Sequence, residues 1–535
     1  MNRFILPLLA AVACWASPAR AQHDDVELLN RYAQTSEVSS VELTAMRRIE
    51  GHMRFLASDA MAGRDTATVT GDVTAEYVAS QLLAYGVEPA GDDGTFLQHY
   101  PLVRSGLDLE RLRFDMHVDG ELERSFVADD EYAVRGYGAA GYDMRGGVVF
   151  AGHGLVDNAS GVDDFGGLDV EGRFVLVLAG APTIEDIDPG LVVASNWRAK
   201  QEHAKGLGAL GLIIINPPDD ERAAQWFRFA KARMRGQSMN LGGEERASNP
   251  FPRLYVESAV AEAMFDAAGH DFAEALDLRT DTAGLGGFTL SDVTLDLAAP
   301  VAAEELSSAN TVGIIRGSDP ELADEMLVLS AHMDHVGVDD SGEIYNGADD
   351  NASGTSVILM AAQALARDPS RLRRSIVILG VTGEEKGLLG SEWWVSNPTV
   401  DIDKVVGNIN IDMVGRNQPD SIGVTPSPDH PEHNSLVTMA QSLTEEAGIE
   451  IEWQAGEGDY LRKVDEYYYR SDHVNFSNAG IPVIFFFAGE HEDYHKPTDT
   501  VEKIDIYKVM RVANLVTLLS RVAANSPERP VRFAK

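Results

Sequence analysis

Four nearly unbroken apolar runs recur in the second half of the chain: Met326 to Ala331, Ser375 to Val381, Asn408 to Met413 and Pro482 to Phe487. Short runs of this kind predict strands buried on both faces. Between them, Ser353 to Arg367 and Ser435 to Ala447 repeat apolar residues at helical spacing. That alternation predicts an α/β fold: a doubly wound, mostly parallel sheet covered by helices. Upstream the texture changes. From about 125 to 290, glycines separate β-branched runs such as Gly146 to Phe150, Phe174 to Leu178 and Leu212 to Ile215, which predict a separate β-rich module. Residues 41–104 open with a helical pattern and an Ala-Gly-Arg turn at Ala62 to Arg64; Thr74 to Tyr85 then reads as an amphipathic helix stopped by Gly86. The expected organisation joins 22–124 and 291–525 into one domain, with 125–290 inserted and 526–535 as a tail.

Length agrees with that division, because 535 residues exceed one ordinary domain. The net charge of −40 argues against nucleic-acid phosphates and anionic membranes as partners. Residues 1–21 read as a secretory signal: Arg3, a short apolar core from Phe4 to Ala13, and an A-x-A site at Ala19-Arg20-Ala21. The expected location is periplasmic or secreted. The chain's one cysteine, Cys14, falls inside this segment; in an alternative reading it is the lipidated first residue of a lipoprotein. No later segment has the length and purity of a membrane-spanning helix.

Two familiar patterns are spelled but misplaced or missing. Gly206-Leu207-Gly208-Ala209-Leu210-Gly211 matches a dinucleotide fingerprint, yet a helix-like stretch precedes it and a strand follows, the reverse of the required order. No serine has glycines two residues to either side, so a nucleophile elbow is absent.

Chemistry gathers where the predicted strands end, the place where open α/β sheets collect ligands. His332 follows the first run, Glu384-Glu385 follow the second, Asp412 closes the third, and His495 lies in the loop after the fourth. Asp349 stands just before the helix beginning near Ser353. Singly, each has an ordinary structural explanation: a histidine after a strand, a solvated helix start, an N-cap cluster. Asp412 is the exception, since an acid inside Asn-Ile-Asp-Met-Val is costly to bury unless paired or metal-bound. Together, imidazoles and carboxylates of this kind suit two Zn²⁺ per chain. Three carboxylates and one bridging hydroxide would neutralise the four positive charges.

The motifs are specific enough to compare with a family. Ala331-His332-Met333-Asp334-His335, Gly347-Ala348-Asp349-Asp350-Asn351-Ala352-Ser353-Gly354, Gly383 to Ser391, Asn410-Ile411-Asp412-Met413, Tyr469 to His473 and His495 to Thr500 resemble, in order, those of the M28 zinc exopeptidases. The middle module resembles a protease-associated (PA) insert. The resemblance implies a mixed-sheet zinc-exopeptidase domain and an exported aminopeptidase that releases N-terminal residues from peptide substrates. It implies Asp349 as the carboxylate bridging both metals, His332 and Asp412 completing one site, and Glu385 and His495 the other. Glu384 would be the general base acting on a metal-bridged hydroxide, and Asp334 would orient the His332 imidazole. Asp499 would shape the His495 loop. A tyrosine of Tyr467-Tyr468-Tyr469, by position Tyr468, would donate to the oxyanion. Carboxypeptidase action stays open, with Arg470 a cradle for a carboxylate or else one half of a structural salt bridge. Two further readings are a one-zinc glutaminyl cyclase and a non-catalytic binding ectodomain.

Overall fold

The computed structural model describes residues 39–135, 141–157, 161–182, 195–218, 220–242, 251–280, 287–369 and 372–533. The segment expected to be a secretory signal, Cys14 within it, and the last two residues of the tail lie outside the described residues. The chain divides into two compact units, one formed by residues up to Gln98 together with Ala309 onward, the other by His99–Ser308. The second unit is wider at both ends than the 125–290 expected from strand texture.

The first unit is built on a mixed sheet. In chain order its main strands are β1 (Val301–Ile315, contributing its C-terminal part), β2 (Met326–His332), β3 (Ser375–Val381), β4 (Val405–Ile411), β5 (Ser421–Thr425) and β6 (Val483–Phe487). They lie side by side as β1-β3-β2-β4-β6-β5. The β3-β2, β2-β4 and β4-β6 pairs are parallel. The pairs that flank this centre, β1-β3 and β6-β5, are antiparallel. At the edge the short strand Glu450–Glu452 joins β5 in parallel, so the sheet is mixed, with a parallel centre bounded by antiparallel pairs. The four central strands carry the long apolar runs because both their faces are covered, and every residue of each is buried. Running the same way, they deliver their carboxyl ends to one edge.

Helices cover both faces. On one side α1 (Ser40–Leu56), α2 (Val69–Tyr85), α3 (Gly354–Ala366) and α4 (Ile506–Asn525) share a single apolar cluster with the sheet. α1 begins with a capping box between Ser39 and Glu42, and its buried Met46, Ile49, Met53 and Leu56 fall on one stripe. α2 ends where Gly86 adopts φ +84°, a left-handed turn that costs glycine little. α3 is buried nearly all round. On the opposite face Trp394, Tyr468 and Phe476 pack with Val328, Val377 and Leu379. Fully burying one such side chain contributes about 1.5–3 kcal/mol. The helical stretch expected over Ser435 to Ala447 forms as two pieces, Ser435–Gln441 and Thr444–Ala447.

The second unit is also α/β. Its sheet has a parallel centre, Tyr142–Phe150, Arg173–Leu178, Gly211–Asn216 and Arg253–Glu257, flanked by antiparallel strands. The helices include Trp197–Gly206, Glu221–Arg235 and Ser258–Ala267. Helix Trp197–Gly206 leads into the glycine-rich turn and strand Gly211–Asn216 leaves it, the order that disqualifies the dinucleotide pattern. Among the described residues no helix is long and apolar enough to cross a membrane.

Candidate metal centre

His332 is the last residue of β2, so the strand itself fixes its backbone, and its side chain is buried. Its Nε2 stands 3.1 Å from Asp412 Oδ1 and 3.3 Å from Asp350 Oδ1. Asp412 directly follows β4, the neighbouring strand. Beyond β6, His495 Nε2 lies 3.1 Å from both Asp350 Oδ2 and Glu385 Oε2. The two oxygens of Asp350 therefore face two different imidazoles. Burial opposes protonation of His495, but the Asp350 and Glu385 carboxylates overcome it and push its imidazole up to about 10.

Four of the five residues expected at the centre, His332, Glu385, Asp412 and His495, converge at this edge. Asp349 does not. Its Oδ1 accepts the Gly415 amide at 2.6 Å and its Oδ2 meets His491 Nε2 at 3.3 Å. The place between the imidazoles belongs to Asp350. The backbone separates the neighbours: it leaves helical geometry at Asp350 (φ −104°, ψ 94°) and not at Asp349, so the two carboxylates are carried in different directions. Asp499 fixes the turn by accepting from the amides of both Asp349 and Asp350.

His335, quoted in a motif but given no role, is the second residue that sequence reasoning missed. Its Nδ1 lies 2.9 Å from Glu385 Oε1 and 3.7 Å from Asp350 Oδ2. Two donor groups result, His332–Asp350–Asp412 and His335–Asp350–Glu385, each with ligand atoms within 4.8 Å of one another. His495 approaches the second group from the more exposed side. Imidazole nitrogen and carboxylate oxygen at this spacing fit zinc, and the shared Asp350 gives each group a carboxylate oxygen of its own.

Asp334 sits beneath the centre and acts differently from the expectation. The backbone carbonyl of Asp334, at 3.2 Å, is the acceptor nearest His332 Nδ1, while its carboxylate is 3.8 Å away. That carboxylate instead accepts from the Thr66 hydroxyl at 2.8 Å and from the amides of Glu384 and Glu385 at 3.4 Å. It thereby holds the loop after β3. Glu384 turns into the adjoining cleft. Burial, with Glu385 and Asp412 alongside, holds its carboxyl well above the usual carboxylate range, against the opposing pull of His332.

The cleft is lined by Asp350, Glu384 and Asp412 on its polar wall and by Met413, Tyr467, Phe485 and Phe487 on its apolar one. Tyr494, Arg470 and Glu490 complete the lining. Tyr468 is absent from it. Its hydroxyl is 2.7 Å from Ser477 Oγ and its ring packs on His430 and His473. Within a tight turn, adjacent tyrosines face different ways, and it is Tyr467 that meets the cleft. Tyr494, stacked 4.0 Å from His495, could have been suspected from adjacency alone. Arg470 is paired with Glu490 at 2.5 Å.

Comparison with known proteins agrees with the geometry. Residues 310–520 match the model of Peptidase family M28. Aminopeptidase YwaD of Bacillus subtilis is 28% identical over 236 residues, 43% of this chain and 48% of its own length. A probable zinc metalloprotease of Leptosphaeria maculans is 28% identical over 259 residues, 42% of this chain and 59% of its own. The chain spans about half the length of the curated relatives it matches. Among solved structures, an aminopeptidase from Aneurinibacillus superposes with a TM-score of 0.52 at 19% identity, covering 92% of this chain and 96% of that one, a likeness of fold.

Proposed function

Residues 310–520 are a Peptidase family M28 domain, and from that premise we propose that the chain is a di-zinc exopeptidase, an aminopeptidase acting on peptides with a free N-terminus. One observation carries the reading: a single carboxylate, Asp350, offers Oδ1 toward His332 and Oδ2 toward His495. His332, Asp350 and Asp412 would hold one zinc; Asp350, Glu385 and His495 would hold the other, with His335 behind them. Zinc bound there supplies Lewis-acid polarisation of the scissile carbonyl and makes water a better nucleophile at neutral pH. Glu384, free of the ligand set, accepts a proton from the attacking water and returns it to the leaving amine.

The charge of the cleft supports the aminopeptidase reading. Carboxylates outnumber cations in the cleft lining, where Arg470 is the one basic residue among the described residues, a balance that favours a cationic over an anionic terminus. That arginine is already committed to Glu490, which weakens the carboxypeptidase reading. The test is hydrolysis of aminoacyl-p-nitroanilides with free and N-acetylated termini, before chelation, after it, and after zinc is returned. Activity confined to free termini, lost with chelator and regained with zinc, is the expected result. Equal cleavage of acetylated substrates would sink the aminopeptidase assignment, and one zinc per chain by elemental analysis would favour a cyclase. Glu384→Gln should keep its metal and lose about 10²–10⁴-fold in turnover.

The N-terminal features support export of the mature chain from Gln22 onward, which sequencing of the secreted product would check. The second unit is read as a PA-type insert.

A further inference from the structure

The Ala-Gly-Arg turn near the N-terminus lies outside the matched family region, yet it reaches the metal centre. Arg64 is fully buried. Its guanidinium has five N–H groups, and five bonds leave it, all to backbone carbonyls. Nε donates to Met333 at 2.9 Å, Nη1 to Leu56 at 2.6 Å and to Asn346 at 2.7 Å. Nη2 donates to Gly347 at 2.9 Å and more weakly to Asp350 at 3.5 Å. Four of these five acceptors belong to the two loops that present His332, His335 and Asp350. The Arg64 carbonyl accepts in turn from the His335 amide at 3.3 Å.

The neighbours of Arg64 tie down the third loop. Thr66 Oγ1 donates to Asp334 and accepts from the Gly383 amide at 3.1 Å, and Asp65 pairs with Lys386 at 2.6 Å. Gly63 permits the close approach: a Cβ there would lie 2.3 Å from the Gly337 carbonyl oxygen. Arg64 itself adopts φ +51°, a left-handed conformation unfavourable for a side chain of its size. Strain of that kind persists where surrounding contacts over-determine it.

Among the described residues no carboxylate comes within ion-pair distance of the guanidinium. Its charge acts over a longer range on Asp350, Asp334, Asp499 and Glu385. A metal-free centre crowded with carboxylates would tend to spread apart, and a fixed cation behind the loops opposes that. Lysine offers three donors from one point and cannot reproduce the fork.

We propose that Arg64 is a positioning residue for the metal cradle, binding the His332–His335 loop to the Asp350 loop through their carbonyls so that the donor atoms stand at ligand spacing. The inference rests on the di-zinc reading, and its test separates the two. Arg64→Lys and Arg64→Gln, made in the full chain, are freed of metal and compared with the wild type. The readouts are far-UV circular dichroism, zinc affinity by competition with a chromogenic chelator, and kcat and KM after zinc is restored. The expected result is an unchanged spectrum, zinc affinity about 10–100-fold weaker, and a loss carried by kcat while KM stays close to wild type. Zinc binding at wild-type strength in both variants overturns the proposal. So does failure of both to fold, which would make Arg64 a core staple and nothing more. A wild-type chain that takes up no zinc removes the metal reading, and this inference with it.

Discussion

Asp349 and Asp350 are both buried acids in the same turn, yet their carboxylates meet different partners. One is locked to Gly415 and His491, the other stands between His332 and His495. Two substitutions separate the roles. Asp350→Asn should lower zinc content and reduce activity at least about 100-fold, beyond the range seen for residues that merely support a ligand. Asp349→Asn should retain zinc and cost about 1–3 kcal/mol of stability, the scale of a disturbed buried hydrogen bond. Metal analysis and denaturant titration of both variants provide the check, and the reverse pattern would reinstate Asp349 as the bridge. Sequence alone could bring the strand-end residues His332, Asp412 and Glu385 to one edge, because strand direction fixes where a strand ends. It could not choose between adjacent acids, nor among Tyr467, Tyr468 and Tyr469. Those choices depend on backbone dihedrals in irregular turns, which leave no periodic trace. His335 was hidden for a similar reason: its spacing from His332 has meaning only once the loop is folded around Arg64.

Among the elements, the buried strands and helix α3 were legible because their apolar runs are long and strict. Glu221–Arg235 was not, although Ala223, Phe227, Ala230 and Met234 form its buried stripe, since arginines crowd the positions between. Helix Trp197–Gly206 offers a cleaner test of buried charge. Lys200 Nζ donates to the carbonyls of Leu178 and Gly180 at 3.0 and 2.8 Å. Burial pushes its ammonium down to about 7, against a weaker upward pull from Asp164. The folded value lies below the ordinary 10.5, so between these limits the unfolded chain binds the extra proton and stability rises with pH. Lys200→Met should abolish that rise, as read from denaturation midpoints across the window; parallel slopes would refute it. At the start of α4, Asp505 accepts from the Lys508 amide at 3.0 Å. Asp505→Ala should cost about 1 kcal/mol in chemical denaturation.

For the molecule as a whole, two compact units imply two melting events, and every donor atom of the candidate centre belongs to the first unit. Chelation should lower that unit's calorimetric transition and leave the other in place. At zinc one hundred times its dissociation constant the stabilisation lost is about 2.7 kcal/mol for each site. A single transition that shifts entire would instead mean that both units unfold together.

The first unit is assembled from chain segments on either side of the second, and α1 packs against α4. Met46, Ile49 and Met53 of α1 therefore lack Val509, Val512 and Val516, members of the same cluster, until α4 has left the ribosome. The inserted unit, being continuous in sequence, is free to fold during that wait. Newly made chains would thus carry an uncovered greasy helix until α4 emerges, and that interval is where holding chaperones should matter most to yield.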